Sequence, residues 1–167
     1  FSLEAWLNPA TVTGTRIILQ KREGGDPVGY TLLLSDGKVS IRTNSNTRLI
    51  GKTVLQTNSW THVAGTYNSS SGLFSVFING AMDTSVIAAG AAPLTNPDSL
   101  FIGKGFNNPY SGQMDEVRIW NRVLSSDEIY RNSRLSLGTN SGVYSGLVLS
   151  VTFQKNSGDG IVFTLND

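Results

Sequence analysis

The 167 residues contain no cysteine. That excludes disulfide staples, thiolate metal sites and a thiol nucleophile. Histidine occurs once, as His62, so a serine–histidine site or an imidazole-rich metal site would rest on that one ring. Charge is also scarce: 15% of residues are Asp, Glu, Lys or Arg, against a usual share of roughly 25%. The net charge is +1 and the basic residues are scattered, with none of the basic striping that a nucleic-acid surface needs. No apolar run approaches the roughly 20 residues that cross a bilayer, so no membrane insertion is expected.

In place of charge the chain carries Gly, Ser, Thr and Asn, and it is long enough to bury a core without covalent help. Short alternating segments separated by turn residues fill most of it, the pattern of an all-β sandwich. Phe1, Leu3, Ala5 and Leu7 fall on one face of an opening strand, with Ser2, Glu4 and Trp6 on the other. Strands follow at Arg16–Lys21, Tyr30–Leu34, Lys38–Arg42 and Arg48–Val54, the middle two closing a hairpin around Asp36-Gly37. The strongest pair is Trp60–Tyr67 and Leu73–Ile78, ending in Asn79-Gly80. Asp83–Ala88, Leu100–Gly103 and Met114–Trp120 complete the series. Ser125, with Glu128 three residues later, predicts a capped helix of about two turns.

Three segments carry a family likeness: Ser59–Tyr67 running on to Leu73–Gly80, the strand Gly112–Trp120 with its Asp-Glu-Val-Arg-Ile core, and the capped turn at Ser125–Ile129. Together they resemble the laminin-G-like and pentraxin branch of the concanavalin A-like jelly rolls. The resemblance implies a two-sheet antiparallel jelly roll with one short helix. It also implies a recognition or adhesion module that performs no chemistry, most readily one that binds carbohydrate. The alternative is a structural or protein–protein interaction domain of a surface assembly with no glycan ligand. The glycan-cleaving members of the superfamily carry a Glu-x-Asp-x-(x)-Glu strand, a nucleophile and acid along one face. No segment here has it, and we expect no enzyme. The family likeness implies an extracellular or cell-surface protein. An animal domain of this type often carries disulfides, so the absence of cysteine points to a bacterial one, while by cysteine alone a cytosolic protein would look the same.

The chain opens directly on a strand with no methionine, which we read as a piece of a longer polypeptide. Residues 1–146 are expected to form the laminin-G-like domain. Residues 147–167 supply strands that complete the sandwich or lead to a next module. In the first case Leu147, Leu149, Val151 and Phe153 point inward. In the second, an open sheet edge offers self-assembly.

The candidate ligand residues come from the same alternation. Glu4, Trp6, His62, Glu116 and Arg118 fall on one face of three strands. If those strands are neighbours they form a polar cluster flanked by indoles, either a sugar site or a structural charge network. Phe106, Asn107 and Tyr110, in the 104–111 loop, are a second candidate, and the Asn44–Arg48 loop a third. The pentraxin resemblance extends over Leu100–Trp120, but the acidic loop of that family is replaced by Gly103–Tyr110, which has no carboxylate. A pentraxin-type double calcium site is therefore not expected. Asp115 matches the family Asp of Asp-Glu-Val-Arg-Ile, which implies one structural calcium; the alternative is a solvated or turn-capping Asp.

Overall fold

The computed structural model describes residues 1–22, 28–44, 48–88, 96–104, 108–135, 144–153 and 162–165. It is the expected jelly roll. The strands are β1 (Ser2–Pro9), β2 (Thr15–Lys21), β3 (Val28–Ser35), β4 (Lys38–Asn44), β5 (Arg48–Val54), β6 (Thr61–Asn68), β7 (Leu73–Ile78), β8 (Ala81–Ile87), β9 (Leu100–Ile102), β10 (Gly112–Trp120), β11 (Leu147–Thr152) and β12 (Val162–Leu165), with one helix, α1 (Ser126–Asn132), between β10 and β11. They form a seven-stranded sheet, β12-β11-β10-β1-β6-β7-β8, facing a five-stranded sheet, β5-β4-β3-β2-β9.

Period-2 alternation builds the core between the sheets. Leu3, Ala5 and Leu7 of β1, Val63 and Tyr67 of β6, Phe74 and Val76 of β7 and Val117 and Ile119 of β10 face Ile18, Leu19, Leu32, Leu34, Val39 and Ile41 of the opposite sheet. The sheets approach so closely at β6 that a Cβ added to Gly65 would lie 2.9 Å from Ile41 Cδ1. A side chain there would have to push the two layers apart.

A second, smaller cluster lies on the outer face of the seven-stranded sheet. Ala64, Phe77 and Trp120 supply its floor, and Leu124 and Ile129 bring α1 down onto it. The helix begins as its sequence predicts: Ser125 Oγ accepts from Glu128 N–H, and the Glu128 side chain accepts from Ser125 N–H. One turn and one side-chain tie hold this layer in register. Asn79 and Gly80 both have positive φ, 50° and 81°, the geometry of a tight hairpin turn. A Cβ on Gly80 would meet Tyr130 Cα at 2.8 Å, so the β7–β8 turn must be bare for α1 to pack. Ser2 Oγ donates to Arg122 O at 3.0 Å and accepts from Leu124 N–H at 2.8 Å, tying β1 to the segment that enters the helix.

Two features depart from simple alternation. On β10, Glu116 has φ 49°, and the β1–β10 register slips between Glu4 and Trp6: a bulge, with an extra residue on one strand. On β11, Leu149 and Val151 enter the main core as expected. The β10–β11 register shifts at Ile119/Trp120, however, placing Leu147 opposite Trp120 and in the outer cluster. Phe153 lies past the strand end and is 37% exposed. The inward set of four is thus reduced to two, because the bulge turns Leu147 to the other side.

Candidate functional site

The predicted polar cluster exists, and it is closed. Strands β10, β1 and β6 are adjacent, so Glu4 sits between Arg118 on one side and Ala64, beside His62, on the other. Glu4 Oε1 accepts from Trp120 Nε1 at 3.0 Å, from Asn132 Nδ2 at 2.9 Å and from Arg118 Nη1 at 3.3 Å. Glu4 Oε2 lies 3.5 Å from His62 Nε2. Arg118 Nη2 pairs with Glu116 Oε2 and donates to Leu135 O at 3.1 Å, and Nη1 donates to Asn132 O at 3.3 Å. Glu4, His62 and Arg118 have no exposed area, and Glu116 is 6% exposed. α1 and the residues after it form the roof.

Burial alone would raise the Glu4 carboxyl, but the His62 contact, the Arg118 charge and the Trp120 donor outweigh it and hold it below the ordinary carboxylate value. This is a buried charge network anchoring the helix to the sheet, with Glu4 Oε2, both His62 ring nitrogens and Arg118 Nε left without a hydrogen-bond partner. A ligand could reach Glu4, His62, Glu116 or Arg118 only by displacing α1. Trp6 lies at the margin, half-buried, its ring 5.6 Å from that of His62 in an edge-on contact.

The other sequence candidates separate. Phe106 and Asn107 lie outside the described residues. Tyr110 is half-buried against the core. It closes its loop through Tyr110 N–H to Gly103 O at 2.9 Å and a hydroxyl bond to Gln113 O at 3.3 Å, and burial raises its pKa. Of the tryptophans, Trp120 is buried and Trp60, at the rim beside β6, is 45% exposed.

Asp115 has a structural task. Its Oδ1 accepts from Glu116 N–H at 2.7 Å and Phe153 N–H at 2.9 Å, fixing the bulge and the end of β11. A hard cation takes six to eight oxygens, whereas no three Asp, Glu or His side chains converge among the described residues. Asp115→Ala is therefore expected to lower stability by about 2 kcal/mol, the worth of bonds to a charged acceptor, equally with calcium and with chelator. A parent melting temperature that falls on chelation and recovers with calcium would assign the ion to Asp115 after all.

The outer side of the five-stranded sheet is the other candidate face. Cross-strand register sets one residue from every strand in a transverse row: Arg48 opposite Arg42, Arg42 opposite Thr31, Thr31 opposite Gln20 and Gln20 opposite Phe101. Each alternates with a core residue on its strand, so all five point outward. Thr31 and Gln20 are buried at 3% and 8% exposure, Arg42 and Phe101 are intermediate and Arg48 is exposed. The row has buried polar residues at its middle, an aromatic ring at one end and guanidinium groups at the other. Sequence reading reached only its Asn44–Arg48 edge. The row depends on register between four pairs of strands, which no single segment encodes.

A groove beside α1, of about 180 Å³, is lined by Trp120, Arg122, Glu128, Arg131, Asn132 and Tyr144 among others. Arg122 is bidentate to Glu128 across it, at 3.0 and 2.7 Å. That pairing pulls the Glu128 carboxyl down to about 2.

Comparison with known proteins agrees with this architecture. Human pentraxin-related protein PTX3 is 25% identical over 142 residues, covering 77% of the chain; the chain spans 37% of that relative. A Bacteroides ovatus protein superposes with a TM-score of 0.74 at 20% identity, covering 99% of this chain and 53% of that one. The Ruminococcus gnavus IT-sialidase CBM40 bound to α2,3 sialyllactose superposes with a TM-score of 0.66 at 14% identity, covering 79% and 81%. At these identities the structural likeness is one of fold. Residues 1–130 match the laminin G model of the concanavalin A-like lectin/glucanases superfamily, and the chain belongs to that family.

Proposed function

We propose that this domain is a non-catalytic carbohydrate-binding module of a longer extracellular or cell-surface protein, and that the glycan lies along the outer face of the five-stranded sheet. The observation that carries the reading is the transverse row. It places an aromatic ring, an amide, a hydroxyl and guanidinium groups in one cross-strand line, the mixture that stacks on a sugar ring and bonds its hydroxyls. The opposite outer face is roofed by α1, and its polar residues bond to one another. The carbohydrate-bound relative of the same fold supports the class of ligand.

A second reading, docking of another chain, has one observation behind it. The edge strand β8 exposes Met82, Val86 and Ile87 at 56%, 41% and 69%, an apolar edge open to strand addition.

Glycan-array screening followed by calorimetric titration separates the two. The expected result is saturable binding to an oligosaccharide class, weakened at least tenfold by Gln20→Ala with Phe101→Ala, and no reducing ends released on prolonged incubation. Binding of no glycan, combined with self-association abolished by Ile87→Lys, would favour the docking reading. Turnover would overturn the non-catalytic assignment.

A further inference from the structure

Arginine is treated differently on the two faces of the molecule. On the helix side, Arg118 is paired with Glu4 and Glu116, and Arg122 with Glu128. Arg131 donates to Asp127 O, and Arg134 lies over the Tyr130 ring at 4.3 Å. On the outer face of the five-stranded sheet, Arg42 and Arg48 stand directly opposite one another on neighbouring antiparallel strands. Such partners have Cβ atoms roughly 4.5–5.5 Å apart, and like charges there are destabilising. Among the described residues no carboxylate forms an ion pair with either. The Arg42 Nε is buried with no hydrogen-bond partner. Arg22, just past the end of β2, adds a third cation. Burial first, then the charges of Arg48 and Arg22, lowers the Arg42 pKa.

Two guanidinium groups held together, one of them partly desolvated and neither with a counter-charge among the described residues, make a candidate anion position. Guanidinium forks match the planar or tetrahedral oxygens of a carboxylate or sulfate and bind them in bidentate fashion. The anion would also relieve the repulsion between the two arginines. Beyond this end of the row, the Thr31 hydroxyl and the Gln20 amide face neighbouring positions, and Phe101 closes the far end. The Gln20 amide is oriented by its bond to Arg22 O at 2.9 Å. Four inter-strand spacings of about 4.8 Å give the row a length of about 19 Å, the reach of a short oligosaccharide. Its chemistry is asymmetric: anion recognition at the β4–β5 end, hydroxyl recognition in the middle and ring stacking at β9.

We infer that the ligand of this face is an acidic oligosaccharide whose carboxylate or sulfate ester is held between Arg42 and Arg48, with its neutral sugars running across Thr31 and Gln20 toward Phe101. The inference rests on the reading of the five-stranded sheet as the glycan face. An acidic peptide would satisfy the arginines, but it has no use for an aromatic ring at the other end of a polar row.

The test titrates the whole chain, by calorimetry at low ionic strength, with one oligosaccharide in three forms: neutral, with a terminal uronic acid, and with a sulfate ester. A polyglutamate peptide is the control. At least one acidic form is expected to bind tenfold or more tightly than the neutral form, and whichever does so names the group. Arg42→Gln and Arg48→Gln should each erase most of that preference and leave the melting temperature equal to or above that of the parent. Equal affinity for neutral and acidic forms, or a preference that survives both substitutions, would overturn the acidic-ligand inference while the glycan-binding reading stands. Tighter binding of polyglutamate than of any sugar would overturn the sugar assignment. Binding of nothing would remove both.

Discussion

Replacing Arg118 with leucine is expected to destabilise the domain by about 3–5 kcal/mol, the cost of removing one partner from a buried ionic network. The loss comes less from the bonds that vanish than from the charges left behind. Glu4 has no exposed area and Glu116 has 6%, so two carboxylates would stay buried with their main cation gone. Asn132 O and Leu135 O would lose their donor as well, loosening the junction between α1 and the sheet. Denaturant unfolding with an unchanged midpoint would show that the cluster is not what holds the helix.

Acid titration of the parent gives the same network a second readout. Glu4 is held below its ordinary pKa and Glu128 is pulled to about 2. The stability they contribute is fully present above the unfolded carboxylate value of about 4.3. It is lost as pH falls through the lower folded values. The melting temperature should therefore be flat above pH about 5 and fall steadily toward pH 2.

Deleting residues 146–167 is the other change with a large expected effect. β11 pairs with β10 and β12 with β11 inside the seven-stranded sheet. Leu149 and Val151 lie in the main core and Leu147 in the outer cluster. Burying such side chains is worth about 1.5–3 kcal/mol each, so their removal approaches the 5–15 kcal/mol that holds a domain together. The deletion would also bare Val117 and Ile119 and leave β10 as an open edge. We expect an unfolded or aggregated product. A soluble, cooperatively melting monomer would show that β11 and β12 are not needed to complete this sandwich, and would turn attention to pairing with another chain.

Much of this was legible in the residues. Alternation in β1, β6 and β10 assigned Leu3, Val63 and Val117 to the core and Glu4, His62 and Arg118 to the other face, because strands of fixed period 2 offer only two choices. Ser125 and Glu128 placed the helix start through a local capping box. What alternation could not say was whether the outer face of that sheet is wet or roofed. That depends on Leu124 and Ile129 finding Ala64, Phe77 and Trp120, contacts distant in sequence. The same limit hid Asn132, which reaches Glu4 from 128 positions away. The bulges were equally silent: Glu116 carries no glycine signal for its positive φ, and the shift at Trp120 that turns Leu147 outward is written in pairing, not in pattern. The Arg48–Arg42–Thr31–Gln20–Phe101 row is the clearest case, since its members come from five strands.

The most direct test of the account is amide chemical-shift mapping on the labelled domain with its best-binding oligosaccharide. The account predicts shifts confined to β2, β3, β4, β5 and β9, strongest at Gln20, Thr31, Arg42, Arg48 and Phe101, with the amides of Trp120, Leu124 and Ile129 unmoved. Shifts centred on Trp120, Arg131 and Tyr144 beside α1, with the five-stranded sheet silent, would place the ligand on the opposite face and contradict it.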